Sequence, residues 1–179
     1  MASLALPDSM TLQQPQRPPV SSADFRASMS TMGATVCVAT AKLGEEMVGR
    51  TITAVLSLTI SPPTILVSID IDSRLAEIIA KSRGFSFAML ADDQQEIAEA
   101  FAGRLDLADR FQAGEWTYWP SGEPKLLGAA STLDCEVIGS IETGTHVLFA
   151  GAVIAAETNA ARAPLLWQRH HYHRLEGFD

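Results

Sequence analysis

The sequence predicts a mainly β protein, a closed antiparallel barrel with peripheral helices. Two observations carry this. Six or so apolar runs rich in β-branched residues follow one another with turn residues between them. Only three short helical stretches occur, two of them between strands, which favours a sheet closing on itself over a parallel α/β layer. At 179 residues and 47% hydrophobic, the chain suffices for one substantial core. The organisation expected is a loose arm over residues 1–20, holding four of the nine prolines, and one domain over 21–179.

Ser22 reads as a helix N-cap, with Asp24 in the first turn. Phe25, Met29 and Met32 recur at helical spacing and are expected to face the core, and Gly33 ends the element. ATVCVATA (34–41) reads as a strand, followed by a turn at 43–46 around Gly44 and an antiparallel partner over 47–60. Within that partner, Ile52, Ala54, Leu56, Leu58 and Ile60 alternate with Thr51, Thr53, Val55, Ser57, Thr59 and Ser61. One face should then be core and the other almost wholly hydroxyl. Pro62 and Pro63 interrupt, and TILVSIDI (64–71) resumes the strand pattern.

Leu75, Ile78 and Ile79 mark a helix ending near Ser82. GFSFAML (84–90) sends Phe85, Phe87 and Met89 inward. Asp92 with Gln95 resembles a capping box ahead of a helix carrying Ile97 and Phe101 on one stripe. Periodicity fails from 103 to 127, where Trp116, Tyr118 and Trp119 sit among glycines and prolines; irregular segments this long are often functional. Two good strands, 132–141 and 145–154, flank a turn at 142–144, and LLWQRHHYHRL lies near the end.

Composition excludes several functions. A net charge of −8 argues against nucleic-acid binding, which needs a basic surface. Cys37 and Cys135 are far apart and have no metal spacing. His170, His171 and His173 cluster, but between two arginines and with no obvious carboxylate, so no metal site is expected. The uncharged run 51–69 is too rich in hydroxyls and prolines for a membrane span, and the N-terminus lacks a secretory signal, so a cytoplasmic protein is expected. G-x-G-x-x-G, G-x-x-x-x-G-K-[ST] and G-x-S-x-G are all absent.

What remains is the hydroxyl face. Solvent faces of strands mix in Lys and Glu, and neither occurs between Thr51 and Ile69. Neutral donors and acceptors beside apolar surface suit a flat, uncharged, hydrogen-bonding ring, of which a flavin is an example. His146, at a strand start, reads either as a half-exposed structural histidine or as a ligand-facing one. Arg74 reads either as a surface ion pair with Asp70 or Asp72 or as a phosphate clamp at a helix N-terminus.

FRASMSTMGATVCVATA, GRTITAVLSLTISPPTILVSIDIDSR, FSFAMLADDQQEIAEAFAG, GTHVLFAGAVI and LLWQRHHYHRL occur in the order and spacing of the short-chain flavin reductases. The resemblance runs from Phe25 to Leu175. It is closest to reductases serving aromatic hydroxylases, among them that of a chlorophenol monooxygenase. It implies a split β-barrel of the flavin-reductase type, usually a homodimer. Such a protein would transfer hydride from NADH to FAD, or alternatively FMN, and release reduced flavin to a separate oxygenase.

By the family's G-M-T-V-S-A-F-T-S block, Thr51, Ile52, Thr53, Ala54 and Ser57 would line the flavin. Its S-R-T turn falls on Ser73 and Arg74, with Leu75 in place of the threonine, and a common Asn contact falls on Ala88. The G-D-H block falls on Gly144, Thr145 and His146, which would meet the nicotinamide together with Arg169 and Tyr172. Thr145 replaces an Asp, and His170 and His171 replace Gly-Arg. These departures keep a second reading open, a flavin-binding or flavin-sensing module without turnover. No acid–base pair is needed for the reductase, because positioning and electrostatics are the protein's contribution to hydride transfer.

Overall fold

The computed structural model describes residues 15–177. In chain order these form α1 (Ser22–Met29), β1 (Ala34–Thr35), β2 (Cys37–Leu43), β3 (Glu46–Ile52), β4 (Val55–Ile60) and β5 (Pro63–Asp70). There follow α2 (Arg74–Ser82), β6 (Gly84–Met89) and α3 (Gln95–Glu99). The chain ends with β7 (Trp116–Tyr118), β8 (Pro124–Leu126), β9 (Ser131–Glu142), β10 (His146–Thr158), β11 (Leu166–Gln168) and β12 (His171–His173). Most of the proposed arm, residues 1–14, lies outside the described residues; 15–20 are exposed and carry no helix or strand.

The main sheet is antiparallel and seven-stranded, ordered β3-β2-β6-β9-β10-β5-β4. Its edge strands β3 and β4 are consecutive in the chain, with only Thr53 and Ala54 between them. The two edges therefore meet at this kink, and no ladder joins them: β3 pairs with β2 and β4 with β5. This is a split barrel. Its interior holds Ile65, Val67, Ile69, Phe85, Phe87, Val137 and Phe149, closed by Leu75, Ile78 and Ile79 of α2. A second apolar layer lies outside, where Val36, Val38, Ala88 and Leu90 meet Ile97, Phe101 and Leu126. The middle of β6 is thus buried on both faces.

The kink corrects the reading of 47–60 as one strand. Upstream, Ile52 packs into the barrel core; downstream, it is Val55 that does so, opposite Val67. The alternation changes parity between them, and a one-residue change of parity sends every later side chain to the other face. Leu56, Leu58 and Ile60, expected in the core, are 49%, 51% and 89% exposed. The hydroxyl row is consequently not one wall, and Ser57 pairs with Ile65 beyond the kink.

Three helix readings also change. The cap of α1 is Ser21, whose side chain accepts from the Asp24 N–H, and none of its residues is buried. Phe25, Met29 and Met32 are exposed rather than in the core. Asp92 caps nothing; Gln94 precedes α3 and accepts from the Ala91 N–H through its own amide, while Asp92 pairs with Arg174. The segment 103–127 is more ordered than expected. It contains a 3-10 turn at Arg110–Gln112 and the β7–β8 hairpin. The hairpin is pinned by Trp119, which is buried and donates its indole N–H to Ser86.

Candidate functional site

The kink and the tail build one site. β11 and β12 form a small sheet with β1, which brings Trp167 and Tyr172 against residues 51–53. Val36, Thr51, Ile52, Thr53, Ala102, Trp167 and Tyr172 line a cavity of about 190 Å³. None of the seven is charged. Trp167 and Tyr172 meet edge to face with centroids 4.7 Å apart, a favourable aromatic geometry that presents a rigid wall. Thr51 donates its hydroxyl to the Ala98 carbonyl at 2.6 Å. Its remaining capacity is as an acceptor.

A larger cavity of about 410 Å³ opens beside it and shares Thr53 and Trp167. Its other walls include Ala54, Ala34, His170, Phe25 and Met29 on the exposed face of α1, and Met32 just beyond its end. The expectation that Phe25, Met29 and Met32 pack inward therefore fails for a definite reason: they border a cavity. Arg169 and His170 form the β11–β12 turn with φ of 48° and 66°, a left-handed conformation that is uncommon outside glycine.

A third cavity, about 160 Å³, lies where β3 meets the start of α2, lined by Val48, Gly49, Arg50, Ser73, Arg74, Leu75, Leu107 and Arg110. Ser73 caps α2, accepting from the Ala76 N–H. Arg74 is engaged, though not by Asp70 or Asp72: it bonds Glu46 and pairs with Glu77. Those contacts raise the Arg74 pKa further and hold Glu77 down at about 2. Gly49 is required here, because a Cβ would stand 2.6 Å from the Phe101 ring.

The structure gathers the predicted residues into two groups. Thr51, Ile52, Thr53, Ala54 and Tyr172 surround the paired cavities, with Arg169 in the adjoining turn. Ser73 and Arg74 stand at the third. His146 belongs to neither cavity group; it opens β10 opposite Asp70, with its Nδ1 3.0 Å from the Thr145 hydroxyl. The Ser73 N–H bonds the Asp70 carbonyl, so the residue paired with His146 also joins the turn that leads into α2. Ala88 is buried at 3% in the outer apolar layer and lines none of these cavities.

Sequence reasoning missed Val36, Ala102, Trp167, Arg50 and Arg110. Trp167 stood in a quoted block and an aromatic beside strand residues was a usable signal. Arg110 comes from the segment without periodicity and had none.

A split barrel with an uncharged, aromatic-walled cavity at its kinked edge defines a small-molecule-binding barrel. A model of the flavin reductase like domain matches residues 29–176. FMN reductase (NADH) RutF of Ancylobacter novellus is 34% identical over 161 residues, covering 89% of this chain and 88% of that protein. The reductase component of the FADH(2)-dependent resorcinol hydroxylase of a Rhizobium species is 32% identical, covering 83% and 84%. Among solved structures, the NADH:FAD oxidoreductase SgcE6 of Streptomyces globisporus superposes with a TM-score of 0.81 at 27% identity, covering 91% of this chain and 100% of that one. The chain belongs to the flavin reductase family and is an oxidoreductase of that class.

Proposed function

We propose that this protein is an NADH-dependent flavin reductase that passes reduced FAD, or FMN, to a separate monooxygenase component acting on an aromatic substrate. The observation that carries the reading is the uncharged cavity walled by Thr51, Ile52, Thr53, Trp167 and Tyr172. Its chemistry fits a flat ring with several hydrogen-bonding edges and apolar faces. Bound flavin supplies the hydride acceptor, so the chain needs no nucleophile or metal of its own. Its residues bind, orient and exclude water. Thr51, already donating to Ala98, accepts from a ligand N–H; the Trp167–Tyr172 pair gives stacking surface.

The relatives support the finer points. One is a reductase component for an aromatic hydroxylase, and the NADH:FAD oxidoreductase has a structure in complex with NAD and FAD fragments. The protein acts as a homodimer in this reading, which gives Leu56, Leu58, Ile60 and the α1 face a partner surface. His146 then serves the nicotinamide.

The test is anaerobic mixing of NADH with a molar excess of FAD or FMN over the protein. Bleaching of the whole excess supports an exchangeable flavin; bleaching of one equivalent, or of none, contradicts release to a second component. Flavin binding with no reduction would leave a binding module.

A further inference from the structure

Two acidic side chains buried side by side take no part in the proposed reaction. Glu123 is 6% exposed and Asp134 4%, and both line a cavity of about 220 Å³ with Ser82, Arg83, Ser121 and Glu136. One hydroxyl links them: Ser121 donates its O–H to Asp134 Oδ1 at 2.9 Å and accepts the Glu123 N–H at 3.3 Å. Glu123 Oε2 accepts the Lys42 N–H at 3.0 Å. The nearby cations are engaged elsewhere. Lys42 lies over the Tyr118 ring, Lys125 pairs with Glu157, and Arg83 donates to the Val137 carbonyl. Burial raises both carboxyl pKa values, that of Glu123 to about 7, where the Asp134 charge adds to the effect. Lys42 opposes the rise at Glu123; Ser121 and the Cys135 N–H oppose it at Asp134.

The two acids sit on elements of unequal firmness. Asp134 lies in β9, laddered to β6 on one side and β10 on the other. Glu123 lies at the tip of the β7–β8 hairpin, a two-stranded sheet that pairs with no other strand among the described residues. A lone hairpin is marginally stable, so its attachments decide where it sits. Hydrogen bonds from Trp119 to Ser86, Ser121 to Asp134, Lys42 to Glu123 and Thr40 to the Pro124 carbonyl hold the tip to the main sheet. Two of these end on the buried carboxylates. With both acids charged, they repel, and the hairpin tip is the side free to yield. Its other end borders the site: Trp116 packs on Phe101 at 5.4 Å, and the next residue, Ala102, lines the ring cavity.

We propose that Glu123 and Asp134 form a pH-operated latch on the β7–β8 hairpin. With a proton on the pair, the tip is held against the main sheet; with both acids charged, it is released. The latch involves no flavin, so it stands or falls separately from the reductase reading. Linkage sets its size. A carboxyl with a pKa of about 7 when buried and about 4.3 when exposed makes opening about tenfold more favourable at pH 8 than at pH 6.

The test is amide hydrogen exchange of the purified protein at about pH 6 and about pH 8, read by mass spectrometry as protection factors over 116–126. The wild type is expected to lose about tenfold in protection there between the two pH values, with the β11–β12 segment unchanged. Glu123→Gln, which keeps an acceptor for the Lys42 N–H, should show no such loss. Asp134→Asn keeps an acceptor for Ser121 and removes the opposing charge, so its loss should be smaller than that of the wild type. It keeps the test decisive should Glu123→Gln fold poorly. Equal protection of the wild-type hairpin at both pH values overturns the latch. So does a loss as large in either variant as in the wild type, or one spread evenly over the whole chain.

Discussion

Thr51 donates its hydroxyl to the carbonyl oxygen of Ala98 at 2.6 Å, which ties the edge strand β3 to α3 and sets one wall of the ring cavity. One side chain thereby serves both the fold and the site. Thr51→Val keeps the shape and removes the bond. The expected loss is about 1 kcal/mol of stability, a fall in Tm of roughly 2–4 °C for a domain of this size. Flavin titration should weaken together with it. An unchanged Tm would show that the β3–α3 contact does not depend on this hydrogen bond.

His146 is not among the residues lining the ring cavity; it sits beside the Thr145 hydroxyl and pairs with Asp70. Replacing it by Ala should raise the KM for NADH about tenfold and leave flavin affinity untouched. Steady-state kinetics with flavin saturating, paired with flavin titration, separate the two. Equal loss of both would mark His146 as a structural residue at a strand start.

Glu123 is 6% exposed and accepts from the Lys42 N–H. Burial, with a smaller contribution from the Asp134 charge, pushes its pKa up to about 7 against the opposing Lys42 contacts. A carboxyl whose pKa is raised on folding favours the folded state while protonated. Its contribution is complete below the unfolded pKa of about 4.3, is lost as pH rises through about 7, and changes little above that. The span of this change is at most roughly 3–4 kcal/mol. Glu123→Gln keeps the acceptor for Lys42 and removes the titration. Urea melts at several pH values should show the difference in stability between wild type and variant shifting against the wild type from weakly acidic to neutral pH. Parallel curves would contradict a buried, titrating Glu123.

Leu58 and Ile60 lie on the outside of edge strand β4, half and almost fully exposed. In the proposed homodimer they are covered. Leu58→Glu should shift sedimentation from dimer to monomer while circular dichroism stays unchanged. A wild type that sediments as a monomer would contradict the proposed homodimer.

Much of the sheet was legible in the sequence because β-branched alternation is a local signal. Phe85, Phe87 and Met89 face inward as their spacing says. The reading failed where the determinant is not local. Between Ile52 and Val55 the alternation changes parity because two sheet edges meet there, and Thr53-Ala54 carries no glycine or proline to announce it. Phe25 and Met29 share a face of α1, with Met32 beyond its end, but an apolar stripe says only that some surface is to be covered, not which. The site divides in the same way. Thr51, Ile52 and Thr53 came as a contiguous block and converge as a block. Arg110 reaches the same region from an aperiodic segment through the fold of 100–112, so only three-dimensional placement brings it beside Arg50.

Hydride transfer from NADH to flavin at the Thr51–Tyr172 cavity is the proposed activity. The most direct test is NADH oxidation by the purified protein, measured with no flavin, with FAD and with FMN in separate reactions. The prediction is oxidation that requires added flavin and saturates with it. NADH oxidation that is indifferent to flavin, or absent in all three reactions, would contradict it.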